Sequence, residues 1–293
     1  MKQLLRYLSW AWGTSWPLYA ATVLATNVIG ATAVATFLRF FIPLPAAREL
    51  TSPDTTIASL YLIYFGVAVV AGIAMTLYFF APVLRWQRTP QAYDPNMVRD
   101  LVLRIPLLQT VTGIVLWGIG VVLFTVVAWR HSTEWGITVG VTATLGGMMV
   151  SLMTYMEAER LVRPVAAKAL AKGAPDHSRL SPLSHRLMTT WALTSAVPVL
   201  GMVLLLFAAA TEFYPEDSGG IIPAMLALAL TTLLTGFMGT TLFSMAVADP
   251  IRELQYAINR VRRGKVNTDV RIYDSSEIGV LQAGFNEMMR GLQ

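Results

Sequence analysis

Four carboxylates, Glu134, Glu212, Glu216 and Asp217, lie in connections between apolar runs, with His131 close to the first of them. Gathered on one face, their oxygens could coordinate a divalent cation. Glu49 and Asp54 belong to the same set of connections, and Arg39, Arg48 and Arg130 are interspersed, so a solvated acidic rim balanced by arginine is the simpler account. Other reactive chemistry is sparse. His131 falls in an outer loop and His177 and His185 in an inner one, and none is paired with a nucleophile. The absence of cysteine excludes disulfides, thiolate metal sites and a cysteine nucleophile. Gly264-Lys265 stands alone, without the other glycines of a phosphate loop. With no catalytic constellation in view, function has to be sought in binding and transmission.

The elements that carry these residues belong in a bilayer. Hydrophobic residues make up 55% of the chain and charged ones 13%, about half the charge of an ordinary soluble domain. Runs long enough to cross about 30 Å of hydrocarbon occupy residues 16–42, 57–80, 107–129, 136–156, 187–210 and 221–247. Six membrane helices are expected. Lys2 and Arg6, Arg85, Arg88, Arg99 and Arg104, and Arg160, Arg163, Lys168, Lys172, Arg179 and Arg186 all fall on one side, against Arg39, Arg48 and Arg130 on the other. That asymmetry predicts cytoplasmic termini in a multi-pass plasma-membrane protein. It also accounts for most of the basic excess behind the pI of 9.6, so nucleic acid is not an expected partner. Lys2 and Arg6 before an apolar run, with Ala31-Thr32-Ala33 inside it, imitate a signal peptide; the expectation is a retained helix.

Polar residues within the spans are few, with Asn27 and Gln109 the clearest and Arg39 near enough to the outer surface to snorkel. No chain of intramembrane carboxylates is apparent, which argues against a proton-coupled transporter. The last span carries Thr232, Gly236, Thr240, Ser244 and Ala248 at intervals of four. Such a stripe lets helices approach closely and could form a dimer seam or a contact with the fourth helix. The outer connections are short, about fourteen, six and ten residues. With so little mass outside, the expected input is sensed within the bilayer: a lipid, a lipid-like ligand such as a fatty acid, or another membrane protein.

The inner connections open alike, with Ala81-Pro82-Val83-Leu84-Arg85, Arg163-Pro164-Val165 and Asp249-Pro250-Ile251-Arg252. The prolines are 82 and 86 residues apart, which suggests three helical hairpins whose returning helices run on below the membrane. From Pro250 onward Ile251, Leu254, Ile258 and Val261 trace one seam. Asp249 reads as an N-cap and Pro250 as a first-turn residue, marking a fresh helix start or a swivel. Gly264 ends that helix, Val266 and Val270 anchor an irregular connector, and a second seam follows Glu277: Ile278, Leu281, Phe285, Met288 and Leu292. Two short helices with one narrow stripe each cannot bury it alone, whereas a parallel dimer forming a four-helix bundle can.

Pro250-Ile251, Gly264-Lys265-Val266 with Val270, Glu277-Ile278-Gly279 and Phe285-Asn286-Glu287-Met288 together resemble the HAMP domain, the signal-relay module of bacterial membrane receptors. Ser276 departs from that pattern, which commonly has an acidic residue before the glutamate. The resemblance implies a relay with two or more packings of similar energy, switchable by a few kcal/mol of differential contact. HAMP domains precede histidine kinases, chemoreceptors and nucleotide cyclases. Kinases and chemoreceptors usually carry two membrane helices around a substantial extracellular domain. Six helices with short outer loops, in an alanine-, threonine- and arginine-rich chain of actinobacterial style, resemble the mycobacterial class III adenylate cyclases of the six-helix HAMP type.

That resemblance implies an all-α chain: a six-helix transmembrane domain over residues 1–247, then a HAMP domain over 248–293, with an output domain expected to follow. It implies a homodimer, and a catalytic domain that converts ATP to cyclic AMP and pyrophosphate with Mg or Mn held by aspartates. No cofactor is expected in the present residues. Two alternatives remain open: the same front end feeding a kinase or another cyclase, and a transporter or structural anchor.

Overall fold

A computed structural model describes residues 16–42, 44, 56–170, 183–214, 220–264, 267–270 and 277–291. The described residues form an all-helical chain, and six of its helices are long and apolar enough to cross a membrane. They are α1 (Trp16–Phe40), α2 (Thr56–Arg88), α3 (Pro95–Trp129), α4 (Thr133–Leu170), α5 and α6 (Ile222–Arg262). α5 begins as Leu183–Trp191, passes through a π turn at Ala192–Ala196 and continues as Val197–Ala210. A seventh helix, α7 (Glu277–Gly291), follows the connector. Leu62, Phe207, Leu233 and Phe237 are exposed on the outside of the bundle, as a surface solvated by hydrocarbon permits.

Several helices outrun the apolar spans read from sequence. α2 continues to Arg88 and turns through Thr89–Asp94 into α3, and α4 reaches Leu170. Hydropathy marks where the chain leaves hydrocarbon, whereas the helix ends where its backbone hydrogen bonds do. Pro82, Pro164 and Pro250 all lie inside continuous helices. The expected fresh start at Asp249-Pro250 is therefore corrected: α6 runs unbroken for 41 residues, about 60 Å at 1.5 Å per residue, and Asp249 is exposed at mid-helix without a capping role. A mid-helix proline removes one hydrogen bond and costs about 3 kcal/mol. Packing on both sides holds the helix through it. Above, the Arg160 guanidinium lies 3.6 Å from Met245 Sδ; below, Leu254 is buried against α7.

The core of the membrane bundle is divided in two. At the relay end Tyr19, Phe80, Val83, Val102, Ile105 and Val165 join α1 to α4, with the Tyr19 and Phe80 rings 4.7 Å apart. At the far end Leu38, Ala128, Trp135, Val139, Leu205 and Ala224 draw in α5 and α6. α3 packs along α4 over much of their length, and α1 lies against α4.

Candidate functional site

Between the two cores the bundle is hollow. A cavity of about 480 Å³ is bounded by α1, α2 and α3, with part of α4 behind; this is within the usual range of ligand pockets, about 300–1,000 Å³. Along α1 it extends from Ala20 to Phe40, about 30 Å of helix rise. Most polar atoms of its wall are turned into neighbouring helices. Tyr61 donates to the Ala31 carbonyl at 3.0 Å, and Tyr64 donates to the Leu116 carbonyl. Thr76 donates to the Gly72 carbonyl at 2.8 Å and lies 3.0 Å from Gln109 Oε1. The lumen is left with carbon. Arg39 is the one charged residue among the described residues lining it, and its guanidinium sits 5.3 Å from the centre of the Phe40 ring.

Asn27, recognised in the sequence only as an isolated polar residue, is a junction of three helices. Its amide nitrogen donates to Val23 O at 2.9 Å and to Thr154 Oγ1 at 3.4 Å, and its oxygen accepts from Trp117 Nε1 at 3.2 Å. The adjacent Thr26 donates to Glu157, about one turn beyond Thr154 on α4, at 2.5 Å. The apolar-run reading missed this carboxylate because Glu157 lies just past the end of the fourth run, and its partner is 131 residues away in sequence. Alongside, Thr190 of α5 approaches Met156 Sδ at 4.0 Å.

The contact between α5 and α6 depends on Gly239. A Cβ there would stand 2.3 Å from Thr194 Cγ2, which lies in the π turn, and 3.5 Å from Thr190 Cγ2. The stripe noted in the sequence faces elsewhere. A Cβ on Gly236 would meet nothing within 4 Å, Thr240 and Ser244 are exposed, and Thr232 is half-buried.

In the relay the single seam divides into two faces. Leu254, Ala257 and Val261 pack with Val270, Phe285 and Met289. Ile251, Ile258, Leu281 and Met288 are 42%, 45%, 57% and 54% exposed, which leaves an apolar strip across both helices. Gly279 is buried, Ile278 half-buried and Glu277 exposed. Gly264, at φ +82°, ends α6 in the left-handed conformation that glycine tolerates. The connector is clasped by Asn286, which donates to Val270 O at 2.7 Å and accepts from Val270 N at 2.8 Å. Gln282 is 1% exposed, and its Nε2 has no hydrogen-bond partner among the described residues. Val266 and Leu292 lie outside the described residues, as do Glu216 and Asp217.

Glu134 and Glu212 are both exposed, and among the described residues no three His, Cys, Asp or Glu side chains gather as metal ligands. Glu212 has a backbone role instead: at φ 52° it turns the chain out of α5, with its N–H donating to Ala209 O at 3.3 Å.

Residues 242–293 match the HAMP domain family. The match begins at Leu242, inside α6, so module and membrane helix share one element. The chain is 31% identical over 211 residues to the uncharacterized protein Rv1319c of Mycobacterium tuberculosis, covering 72% of this chain and 39% of that one. It is 29% identical over 279 residues to the uncharacterized protein Rv1320c of the same species, covering 94% and 48% respectively. A third relative, the uncharacterized protein Mb1352c of Mycobacterium bovis, is 32% identical over 185 residues, covering 60% and 32%. The chain thus spans less than half the length of these relatives. No solved structure matches it. Six membrane helices joined to a HAMP domain make this a multi-pass membrane signal-relay protein.

Proposed function

We propose that the chain senses a state of the bilayer and passes it through a dimeric relay to a class III adenylate cyclase domain, with both termini cytoplasmic. The observation that carries this reading is the continuity of α6 from the membrane through Pro250 to Arg262. A shift or rotation of α6 in the membrane therefore displaces Leu254 and Ala257 against α7, with no flexible linker to absorb it. HAMP domains typically function as dimers, and the exposed strip of Ile251, Ile258, Leu281 and Met288 is the surface a second copy would cover. At 100° per residue, Thr240, Ser244, Ile251 and Ile258 fall within about 40° of one another around α6, so one face could meet the partner through membrane and relay alike. Relatives of which this chain matches less than half leave room for an output domain.

The cyclase reading rests on the resemblance of the architecture and on mycobacterial relatives. In such an enzyme Mg or Mn would activate the ribose hydroxyl and neutralise phosphoryl charge at a site shared by two copies, and a small change in relay packing would open or close it. The test is conversion of ATP to cyclic AMP by the full-length protein in membranes, beside Pro250→Ala. Activity altered by the substitution supports both the output and the junction. No cyclic AMP from a folded dimer removes the cyclase and leaves a kinase as the output to assay.

A further inference from the structure

We propose that Glu157 is a proton-binding site whose occupancy decides whether Arg160 rests on Met245 of α6 or turns back along α4 to the carboxylate. The consequence for signalling rests on the relay reading above; the proton site does not.

Glu157 lies on α4 between Thr154 and Ala158, both buried, inside the fourth span at its relay end. Its own side chain is half-buried. Thr26 of α1, at 2.5 Å, is its one side-chain hydrogen-bond partner among the described residues, and it forms no ion pair with any of them. A carboxylate in such a place needs a cation, whereas the acid is neutral and does not. The Thr26 hydroxyl serves both forms, because it can donate to the carboxylate and accept from the acid.

The cation that could answer it is on the same helix. Arg160 follows Glu157 by three residues, a spacing at which side chains on one helix meet. Its guanidinium instead lies 3.6 Å from Met245 Sδ. A thioether is a weak acceptor, and a guanidinium with a carboxylate makes one of the strong, charge-assisted pairs. An arginine that rests on sulfur with a carboxyl group one turn away is what a neutral Glu157 permits.

The other charged groups nearby do not take its place. α1 carries Arg39, more than three turns from Thr26, and α6 carries no charge before Asp249. On α3 Arg104 is exposed and Asp100 half-buried, and on α4 Glu159 is half-buried; none of them is bonded to Glu157. The side chains of Arg163 on α4 and of His185 and Arg186 on α5 lie outside the described residues.

When Glu157 gives its proton to water, Arg160 is drawn back to the new carboxylate and Met245 loses its contact with α4. Reprotonation restores that contact. Met245 precedes Pro250 by five residues, about 8 Å of helix, so the exchange acts on α6 directly above the relay.

The experiment uses the 293-residue chain in phosphatidylcholine nanodiscs, taken from about pH 4 to about pH 9, a range that extends well above the ordinary glutamate value. Infrared difference spectra follow the carboxyl carbonyl band, and a fluorine NMR tag on Thr241→Cys follows α6. No natural cysteine competes for the tag, and Thr241 is one turn from Met245 on the side away from Asp249. A component of the carboxyl band should vanish as pH rises and be missing in Glu157→Gln, and the tag should shift with the same midpoint. Glu157→Gln should hold the tag at its acid position at every pH. Arg160→Gln, at an exposed position, should keep the titrating band and abolish the shift of the tag, which separates the exchange of Arg160 from a general loosening of α4. Spectra in which Glu157→Gln removes no titrating component overturn the proton site. A tag that still shifts in Arg160→Gln, or that never shifts in the natural background, overturns the exchange. Neither readout needs a second copy or an output domain, so a missing cyclase leaves both standing.

Discussion

Gly236 and Gly239 lie three residues apart on α6 and should respond oppositely to the same change. At Gly239 even a methyl would stand 2.3 Å from Thr194 Cγ2, against about 3.5–4.0 Å for carbon atoms in contact. α5 would have to retreat by more than 1 Å, and it is held there by its π turn and by the Thr190 contact to Met156. Replacing glycine within a helix recovers up to about 1 kcal/mol of backbone propensity, so alanine could mask the clash and leucine is the better probe. Overpacking of this kind costs about 1–3 kcal/mol, a fall of roughly 2–10 °C in unfolding midpoint for a domain of this size. Gly236→Leu meets open space and should leave the midpoint unchanged or slightly raised, while reducing crosslinking between copies if that face is the dimer seam. Thermal unfolding in detergent gives the first quantity and lysine-reactive crosslinking in membranes the second. Equal midpoints for Gly239→Leu and Gly236→Leu would refute the packing argument. Unchanged crosslinking in Gly236→Leu would remove the stripe from the seam.

Three further outcomes follow from single side chains. Asn286→Ala removes both hydrogen bonds to Val270 and should release the connector at a cost of about 1–3 kcal/mol, read as faster hydrogen exchange at the Val270 amide; unchanged exchange contradicts the clasp. Gln282→Leu replaces a buried amide nitrogen without a partner among the described residues and should raise relay stability by about 1 kcal/mol, while a lower unfolding midpoint would mean that the amide is satisfied elsewhere, as across a dimer. Asn27→Ala leaves Trp117 Nε1 and Thr154 without their shared partner. It should cost about 0.6–1.7 kcal/mol, the measured range for hydrogen bonds within membranes, and shift Trp117 emission; an unshifted spectrum would place Trp117 elsewhere.

The six membrane helices were legible because each is a run of apolar residues, and the relay because its leucine, isoleucine and phenylalanine positions repeat in sevens. What escaped depends on neighbours distant in the chain. A heptad trace chose Met288, yet the side chain packed against α6 is the adjacent Met289, at 0% exposure, because α7 carries apolar residues on two faces and one period cannot tell them apart. Ala257, buried in the same core, passed unnoticed since alanine suits either side of a helix. Pro250 read as a boundary because local propensity favours a break, and tertiary packing overrode it. The cavity is an absence of atoms among three helices and has no local signal, although the small residues Ala31, Ala35, Gly72 and Gly113 that line it are its trace in the sequence.

The central claim, that one helix carries motion from the membrane into a relay shared by two copies, is tested most directly by a cysteine scan from Ala248 to Val261. The natural chain has no cysteine, so each introduced thiol reports alone. Disulfide formation between copies in membranes should peak at Ile251 and Ile258, be minimal at Leu254 and Ala257, and follow one unbroken helical period through Pro250. A scan that loses its period at residue 250, or that peaks at Leu254 and Ala257, would contradict the account.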